Sequence, residues 1–291
     1  MDSKIAIIIV LFHPNDDDIS HIESLSKQYQ GVVIDNSSNR CFKDNNIGLL
    51  HYIFNNGNKG IAEAQNIGID FLLKENKYEC FVFLDQDSRV KVDYVKKIVE
   101  EYKIIKTIHP NLAMLGPSAI NERSNKEYKS IFHSGKIEQG VFILQREIIS
   151  SGSCVGVDVI SKVGGLISWM FIDYVDFEWC WRANSMGYIC GITPNVSIQH
   201  CVGKKEYYIG NYIIIISSPI RYFYQGRNYI KLLKYSYVPF QWKCTTMIKS
   251  CLRLIYLPFV PGGGIQCWKQ FVRGLISGFF KYDHNSNSCS I

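Results

Sequence analysis

Two carboxylates one residue apart close the run Phe81-Val82-Phe83-Leu84-Asp85-Gln86-Asp87-Ser88. Four apolar, aromatic-rich residues bounded by polar ones suit a buried strand. Acids at the carboxyl end of a parallel strand face the crevice in which open α/β sheets take their ligands. Two hard oxygen donors there suit Mg2+ or Mn2+, which bind through one or two carboxylates plus substrate phosphates. Taken alone, the pattern reads more readily as a strand end followed by a solvated turn. Further polar groups could share the crevice. Asp35 ends a second apolar run, Gly31 to Ile34, and Asn58-Lys59-Gly60 lies in a turn cluster. Asp173, Asp176 and Glu178 crowd an aromatic-rich segment from Phe171 to Arg182. Acids near a helix N-terminus suit the macrodipole, so plain capping is the bland account of that last group.

The elements that must position these residues can be read in order. Ile5 to Phe12 is a continuous β-branched run, the mark of a central parallel strand. His13-Pro14-Asn15 ends it, and Asp16-Asp17-Asp18 can cap a helix over about 19–29. Gly31 to Asn36 predicts a second strand and Leu49 to Phe54 a weaker third. A helix from Ile61 to Glu75 leads to the strand Phe81 to Leu84, and another helix covers Asp93 to Lys106. Ala113 to Pro117 reads as a strand, 121–140 as a polar, mobile excursion, and Val157 to Val163 as a short helix. A turn at 171–174 enters a helix that Gly187 ends, and two strands follow, Tyr188 to Ile192 and Val196 to His200. Alternating strands and helices with short connections predict an α/β sheet covered on both faces.

The net charge of +6 is unevenly spread. From Lys204 onward there are 12 Lys and Arg against 2 Asp and Glu, whereas residues 1–203 hold 20 against 24. A near-neutral body with a basic, aromatic tail points to an anionic surface. Gln241 to Leu257 and Gln266 to Phe280 read as amphipathic helices parted by Pro261-Gly262-Gly263-Gly264. Such helices suit a membrane interface, or packing on the body or in a dimer. No apolar run approaches the roughly 18 residues that span a bilayer, and no secretory leader follows Met1. The ten cysteines include no Cys-x-x-Cys pair, and Cys180, Cys190 and Cys201 fit no zinc template, so free thiols in a reducing cytosol are expected.

Five segments in this order resemble the inverting family-two glycosyltransferases of GT-A fold, and among them the bacterial rhamnosyltransferase-like branch. The segments are Val33 to Ser37, Asn58 to Gly68, Phe83 to Ser88, Ser151-Gly152, and Phe171 to Glu178 through Arg182. The resemblance covers about residues 4 to 235. It implies a GT-A catalytic domain over 1–203 and a basic, mainly helical extension over 204–291 at the membrane interface or acceptor. It implies a nucleotide-diphosphate sugar donor, with dTDP-L-rhamnose first and a UDP-hexose as the alternative. The implied acceptor is a polyprenyl-diphosphate-linked oligosaccharide at the anionic inner leaflet, with the protein cytoplasmic and peripheral there.

The resemblance also implies roles. Asp35 would accept the pyrimidine imide N–H, Asn58, Lys59 and Gly60 would line base and ribose, and Asp85 would face the ribose or a metal-bound water. Asp87 would ligate the Mg2+ or Mn2+, with His200 either a third ligand or a structural histidine. Asp176 would be the base that deprotonates the acceptor hydroxyl, although Val175 stands where many relatives have Glu, and Asp173 or Glu178 could share or take the task. Ser151, Gly152 and Asp173 would form the acceptor site, and Arg227 would touch the acceptor's phosphates or the membrane surface.

Two rival readings fit the residues less well. A haloacid-dehalogenase-type phosphohydrolase also ends a strand in Asp-x-Asp, but near the start of its domain, and it leaves Asp35 and Asn58-Lys59-Gly60 without a task. A nucleic-acid binder could use the basic tail, but no recognised motif supports it and the acidic body opposes a broad phosphate footprint.

Overall fold

A computed structural model describes residues 4–91, 93–121, 136–138, 142–200, 205–209 and 212–280. The chain divides into two compact units, Met1–Phe171 with Val175–Val202, and Ile172–Tyr174 with Gly203–Ile291.

The first unit runs β1 (Ile5–Leu11), α1 (Asp16–Ser26), β2 (Gln30–Asp35), β3 (Asn46–Ile47), β4 (Leu50–Phe54), α2 (Ile61–Lys74) and β5 (Cys80–Asp85). It continues with α3 (Tyr94–Ile108), β6 (Leu112–Asn121), β7 (Lys136–Glu138), β8 (Phe142–Gln145), β9 (Cys154–Gly156), α4 (Val157–Val163), α5 (Val175–Ser185) and β10 (Ile189–His200). Its sheet has ten strands in the order β3-β4-β2-β1-β5-β9-β6-β10-β8-β7. β4, β2, β1 and β5 run parallel, and the short β9 lies antiparallel between β5 and β6.

β1 is central and every residue of it is buried. Its side chains alternate between two cores, as the pleat requires. Ile7, Ile9 and Leu11 join Ile22 of α1 and Tyr94, Ile98 and Tyr102 of α3. Ala6, Ile8 and Val10 join Ala64 and Ile69 of α2, Val159 of α4 and Trp179 of α5. α1 begins earlier than expected because Asn15, not the Asp triplet, is its cap. The Asn15 side chain accepts from Asp18 N–H at 2.8 Å, and Asp18 returns the bond to Asn15 N–H at 3.0 Å.

Several expectations change. The two strands expected over 188–200 are one element, β10, whose register on β6 shifts between Thr193 and Ser197. The interval between the two expected strands, which holds Pro194, is thus an irregularity within one strand, where proline is tolerated. β8 and β9 were not foreseen, since strands of three or four residues carry no periodicity and owe their form to long-range pairing. Most of the excursion expected over 121–140 lies outside the described residues.

The second unit holds β11 (Lys205–Ile209) and β12 (Tyr212–Ile216), an antiparallel hairpin missed in the sequence, and then α6 (Pro219–Leu232), α7 (Phe240–Tyr256) and α8 (Gly264–Phe279). α6 was not separated from the rest of the tail, whereas α7 and α8 fall where two helices were expected. α8 lies tightly against α6: a Cβ on Gly274 would stand 2.1 Å from the Phe223 carbonyl oxygen. Tyr222, Leu257, Cys267 and Phe271 form the unit's small apolar core, and the Arg253 guanidinium stands 5.8 Å from the Phe271 ring centre. Every cysteine among the described residues is a free thiol.

Candidate functional site

The parallel strands β2, β1 and β5 bring two candidate acids to one edge of the sheet. Asp35 pairs in register with Leu11 and Asp85 with Val10, so the two flank the carboxyl end of β1. Two strand spacings put their backbones about 10 Å apart.

Asp35 is fully buried. Its carboxylate accepts the N–H of Ser37 at 2.9 Å and of Cys41 at 3.1 Å, and the hydroxyl of Tyr52 at 2.5 Å. Burial alone would raise its pKa, but hydrogen bonds from Ser37, Tyr52 and Cys41 outweigh burial and hold the carboxyl below its ordinary value. Tyr52 bears the converse effect, since burial and the Asp35 carboxylate push its hydroxyl up to about 12. Neither Tyr52 nor Ser37 was foreseen as part of the site. Ser37 sits two residues after the acid, a spacing that could have suggested a local bond, whereas Tyr52 arrives only through the β2–β4 pairing.

Asn36 continues from Asp35 to the glycine turn. Its side-chain amide donates to the Gly60 carbonyl at 3.1 Å and its oxygen accepts from Asn55 at 2.8 Å. Gly60 is the cap of α2, with φ at +84°. A Cβ there would lie 2.6 Å from the Phe171 ring, so only glycine fits. The Asn58 side chain accepts from Gly60 N–H at 2.9 Å, and Asn58 and Lys59 are both exposed beside the turn.

The Asp85-Gln86-Asp87 turn is tied down by its neighbours. Phe12 N–H donates to Gln86 Oε1 at 2.7 Å, and Arg89 donates to the Gln86 carbonyl at 3.0 Å. Asp85 N–H donates to Ser88 Oγ at 3.0 Å. Asp85 is half-buried and Asp87 exposed. Among the described residues no three His, Cys, Asp or Glu side chains gather closely enough to hold a metal ion by themselves. The pair fits a hard divalent cation that takes its other oxygens from a diphosphate and water. His200 closes β10, and its side chain lies outside the described residues.

The loop before β9 joins this turn to the third acidic group. Ser88 Oγ and Ser151 Oγ share a hydrogen bond of 2.9 Å, and Ser150 N–H donates to Asp176 Oδ2 at 3.0 Å. Gly152, at φ +76°, donates to the Phe83 carbonyl at 2.7 Å and accepts from Tyr94 Oη at 2.8 Å. Asp176 stands in the first turn of α5 and lines a mainly apolar crevice with Gln65, Phe83, Ser150 and Trp179. The two acids that could have shared its task are held by arginines. Glu178 is fully buried and receives Arg182 at 2.8 and 3.1 Å. Asp173, in the second unit, is paired with Arg221. Both carboxylates are therefore engaged by a guanidinium.

Arg227 departs from its expected place. It is 3% exposed, and its guanidinium donates to Asn228 Oδ1 at 3.1 and 3.0 Å and lies 4.6 Å from the Tyr224 ring centre. Asn228 in turn donates to the carbonyls of Ile172 and Asp173 at 2.9 and 3.1 Å. A guanidinium spent on a buried amide and an aromatic face is turned into its own unit and not towards a headgroup.

The family description "Glycosyl transferase family 2" matches residues 19–142. A dTDP-rhamnosyl transferase of Shigella flexneri, RfbF, is 30% identical over 96% of this chain and 96% of its own. The chain belongs to glycosyl transferase family 2. It is a rhamnosyltransferase-like member of that family, and the phosphohydrolase reading falls with the assignment. The low-salt glycan biosynthesis hexosyltransferase Agl10 of Haloferax volcanii is 25% identical over 67% of this chain and 64% of its own. Among solved structures, S. aureus TarS in complex with UDP-GlcNAc aligns at a TM-score of 0.53 and 14% identity, over 94% of this chain and 79% of that one. GalNAc-T7 with UDP, GalNAc and Mn2+ aligns at 0.50 and 14%, over 68% of this chain and 43% of that one. These likenesses show the fold, which is GT-A.

Proposed function

We propose that this family 2 glycosyltransferase is an inverting enzyme that moves L-rhamnose from dTDP-L-rhamnose onto a hydroxyl of a polyprenyl-diphosphate-linked oligosaccharide, in the synthesis of a bacterial surface polysaccharide such as O antigen. The observation that carries the reading is the serine relay. Ser88, Ser151 and Ser150 tie the Asp85 turn and Asp176 to one loop, so donor and base share a support. The choice of donor rests on the full-length likeness to a dTDP-rhamnosyl transferase.

In this reading residues 1–203 are the catalytic domain. With Ser37, Cys41 and Tyr52 donating to it, Asp35 has one of roughly four acceptor positions left for a pyrimidine imide N–H. Asn58, Lys59 and Gly60 line the base and ribose, and Asp85 faces the ribose. Asp87, with Asp85 and with His200 as a further candidate ligand, would hold Mg2+ or Mn2+. Such a cation, when bound, neutralises charge on the departing diphosphate. Ser151 and Gly152 shape the floor of the acceptor site; in the second unit Arg227 fixes Asn228, which holds the Asp173 backbone. Asp176 takes the proton of the acceptor hydroxyl as its oxygen bonds to the anomeric carbon. The anomeric bond to the diphosphate breaks and its electron pair leaves with the nucleotide. One carboxylate on the face opposite the leaving group suffices for a single displacement with inversion. Residues 204–291 would keep the protein at the cytoplasmic face of the plasma membrane, beside its acceptor.

Thermal denaturation of the protein with dTDP-L-rhamnose and Mg2+ or Mn2+ tests the donor. Ligand at a hundred times its Kd should stabilise the folded state by about 2.7 kcal/mol. A shift with UDP-hexoses and none with dTDP-L-rhamnose would favour the second reading, a hexosyltransferase, which the Agl10 likeness supports.

A further inference from the structure

α7 is built inside out. Its buried residues are Thr246 and Ser250, and Ser250 Oγ donates to the Thr246 carbonyl at 2.7 Å. Arg253, three residues on, lies over the rings of Tyr222 and Phe271. The opposite side carries Phe240, Met247, Ile248, Leu252 and Ile255, all exposed, with Ile255 at 67%. These residues recur at three- and four-residue spacing and so share one stripe of the helix. Phe259, just after the helix, is 83% exposed. Single exposed apolar residues are ordinary, but a continuous stripe of large ones marks a surface that meets something apolar.

We infer that this stripe of α7 lies in the outer layer of an anionic lipid bilayer. The charge of the unit selects that occupant. Between residues 207 and 281 there are ten Lys and Arg and no Asp or Glu. Lys234, Lys249, Lys269 and Arg273 are exposed. A second copy of the chain would bring an equally basic face to the contact, and like charges oppose that pairing. Anionic headgroups complement it, because each nearby basic residue adds to the attraction while the apolar side chains enter the acyl boundary. Among the described residues no helix is long and apolar enough to cross a membrane. The helix therefore lies along the surface. The inference names the side chains that enter, and it stands whether or not the donor is dTDP-L-rhamnose.

The test compares the full chain with the triple variant Ile248→Ser/Leu252→Ser/Ile255→Ser in co-sedimentation with vesicles. The vesicles are phosphatidylcholine with and without phosphatidylglycerol. The natural chain should pellet with the anionic vesicles and much less with the neutral ones, and added salt should release part of it. The triple variant should keep its circular dichroism and lose at least about tenfold in partitioning, since three buried side chains become polar. Lys249→Glu/Lys269→Glu should weaken binding to the anionic vesicles alone. Equal pelleting of the triple variant and the natural chain would overturn the inference. So would absence of vesicle binding, or a dimer seen by light scattering that the triple variant abolishes.

Discussion

Two helices of similar length, α3 in the first unit and α7 in the second, use the same periodicity to opposite ends. α3 buries Tyr94, Val95, Ile98, Val99, Tyr102 and Ile105 against the sheet and leaves Lys96, Lys97, Glu100 and Lys103 outside, with Ile104 and Ile108 its two exposed apolar side chains. α7 buries a threonine and a serine and leaves isoleucine, leucine and methionine outside. Burial of apolar area at about 25 cal/mol per Å² stabilises the first arrangement within the chain itself. The second arrangement withholds that gain until another apolar phase is present. The first unit thus keeps its apolar surface for folding and its polar edge for chemistry, while the second keeps apolar surface for contact.

The largest effect expected is chemical and belongs to the first unit. Asp176→Asn keeps the shape of the side chain and removes its basicity, so transfer should fall by about 10² to 10⁴ while donor binding by calorimetry is unchanged. Loss of donor affinity would mean that Asp176 is not a dedicated base. The two helices can then be set against each other by stability. Ile98→Ala in α3 should cost about 2–5 kcal/mol in denaturant unfolding. Ile248→Ala in α7 should stay within about 0.5 kcal/mol. A large loss for Ile248→Ala would show that its face is packed within the folded chain and dissolve the contrast.

A smaller effect concerns the buried carboxylate of the first unit. Tyr52→Phe removes a donor to Asp35 and should cost about 1.5–3 kcal/mol. The pH dependence follows by linkage. The folded pKa of Asp35 lies below its ordinary 3.8, so its contribution is present above that value and lost as the pH falls through the lower folded one. In Tyr52→Phe the folded value moves back towards the ordinary one, so the acid limb should be shallower and end at a higher pH. Tyr52 works at the other end of the scale. Its hydroxyl is raised from 10.0 to about 12, so its contribution is whole below 10 and disappears as the pH rises through 12. An unchanged acid limb in Tyr52→Phe, measured by thermal unfolding against pH, would remove Tyr52 from the site.

What could be read in the sequence divides along the same physical line. β1, β2 and β5 were legible because a run of branched or aromatic residues ending on an acid is a local pattern, and Asp35 and Asp85 fell where strand ends should. Gly60 was legible as a turn residue, though its partner Phe171 was not. Tyr52, Ser88 and Ser150 were silent, since each acquires its task from a neighbour far away in the chain. The exposed side of α7 was hidden for another reason. Periodicity tells which side chains share a face, but Ile248 and Ile98 look alike until the structure shows which way each face turns. Arg227 was misjudged similarly, because a basic residue in a basic tail suggests an anion, and burial against Asn228 is visible only in three dimensions.

The contact between Gly60 and Phe171 restricts how this chain can change over generations. Any side chain at position 60 meets the aromatic ring at 2.6 Å, and the backbone there holds a φ of +84° that disfavours one in any case. Position 171 is bound from its own side, because its φ of +65° is unusual for a residue with a Cβ and its carbonyl accepts Ile61 N–H at 2.7 Å. A smaller residue at 171 would not release position 60, because a Cβ there would also stand 2.7 Å from the backbone carbonyl oxygen of residue 171. Substitution is therefore easier at Asn58 and Lys59, which are exposed, than at the glycine between them and the helix.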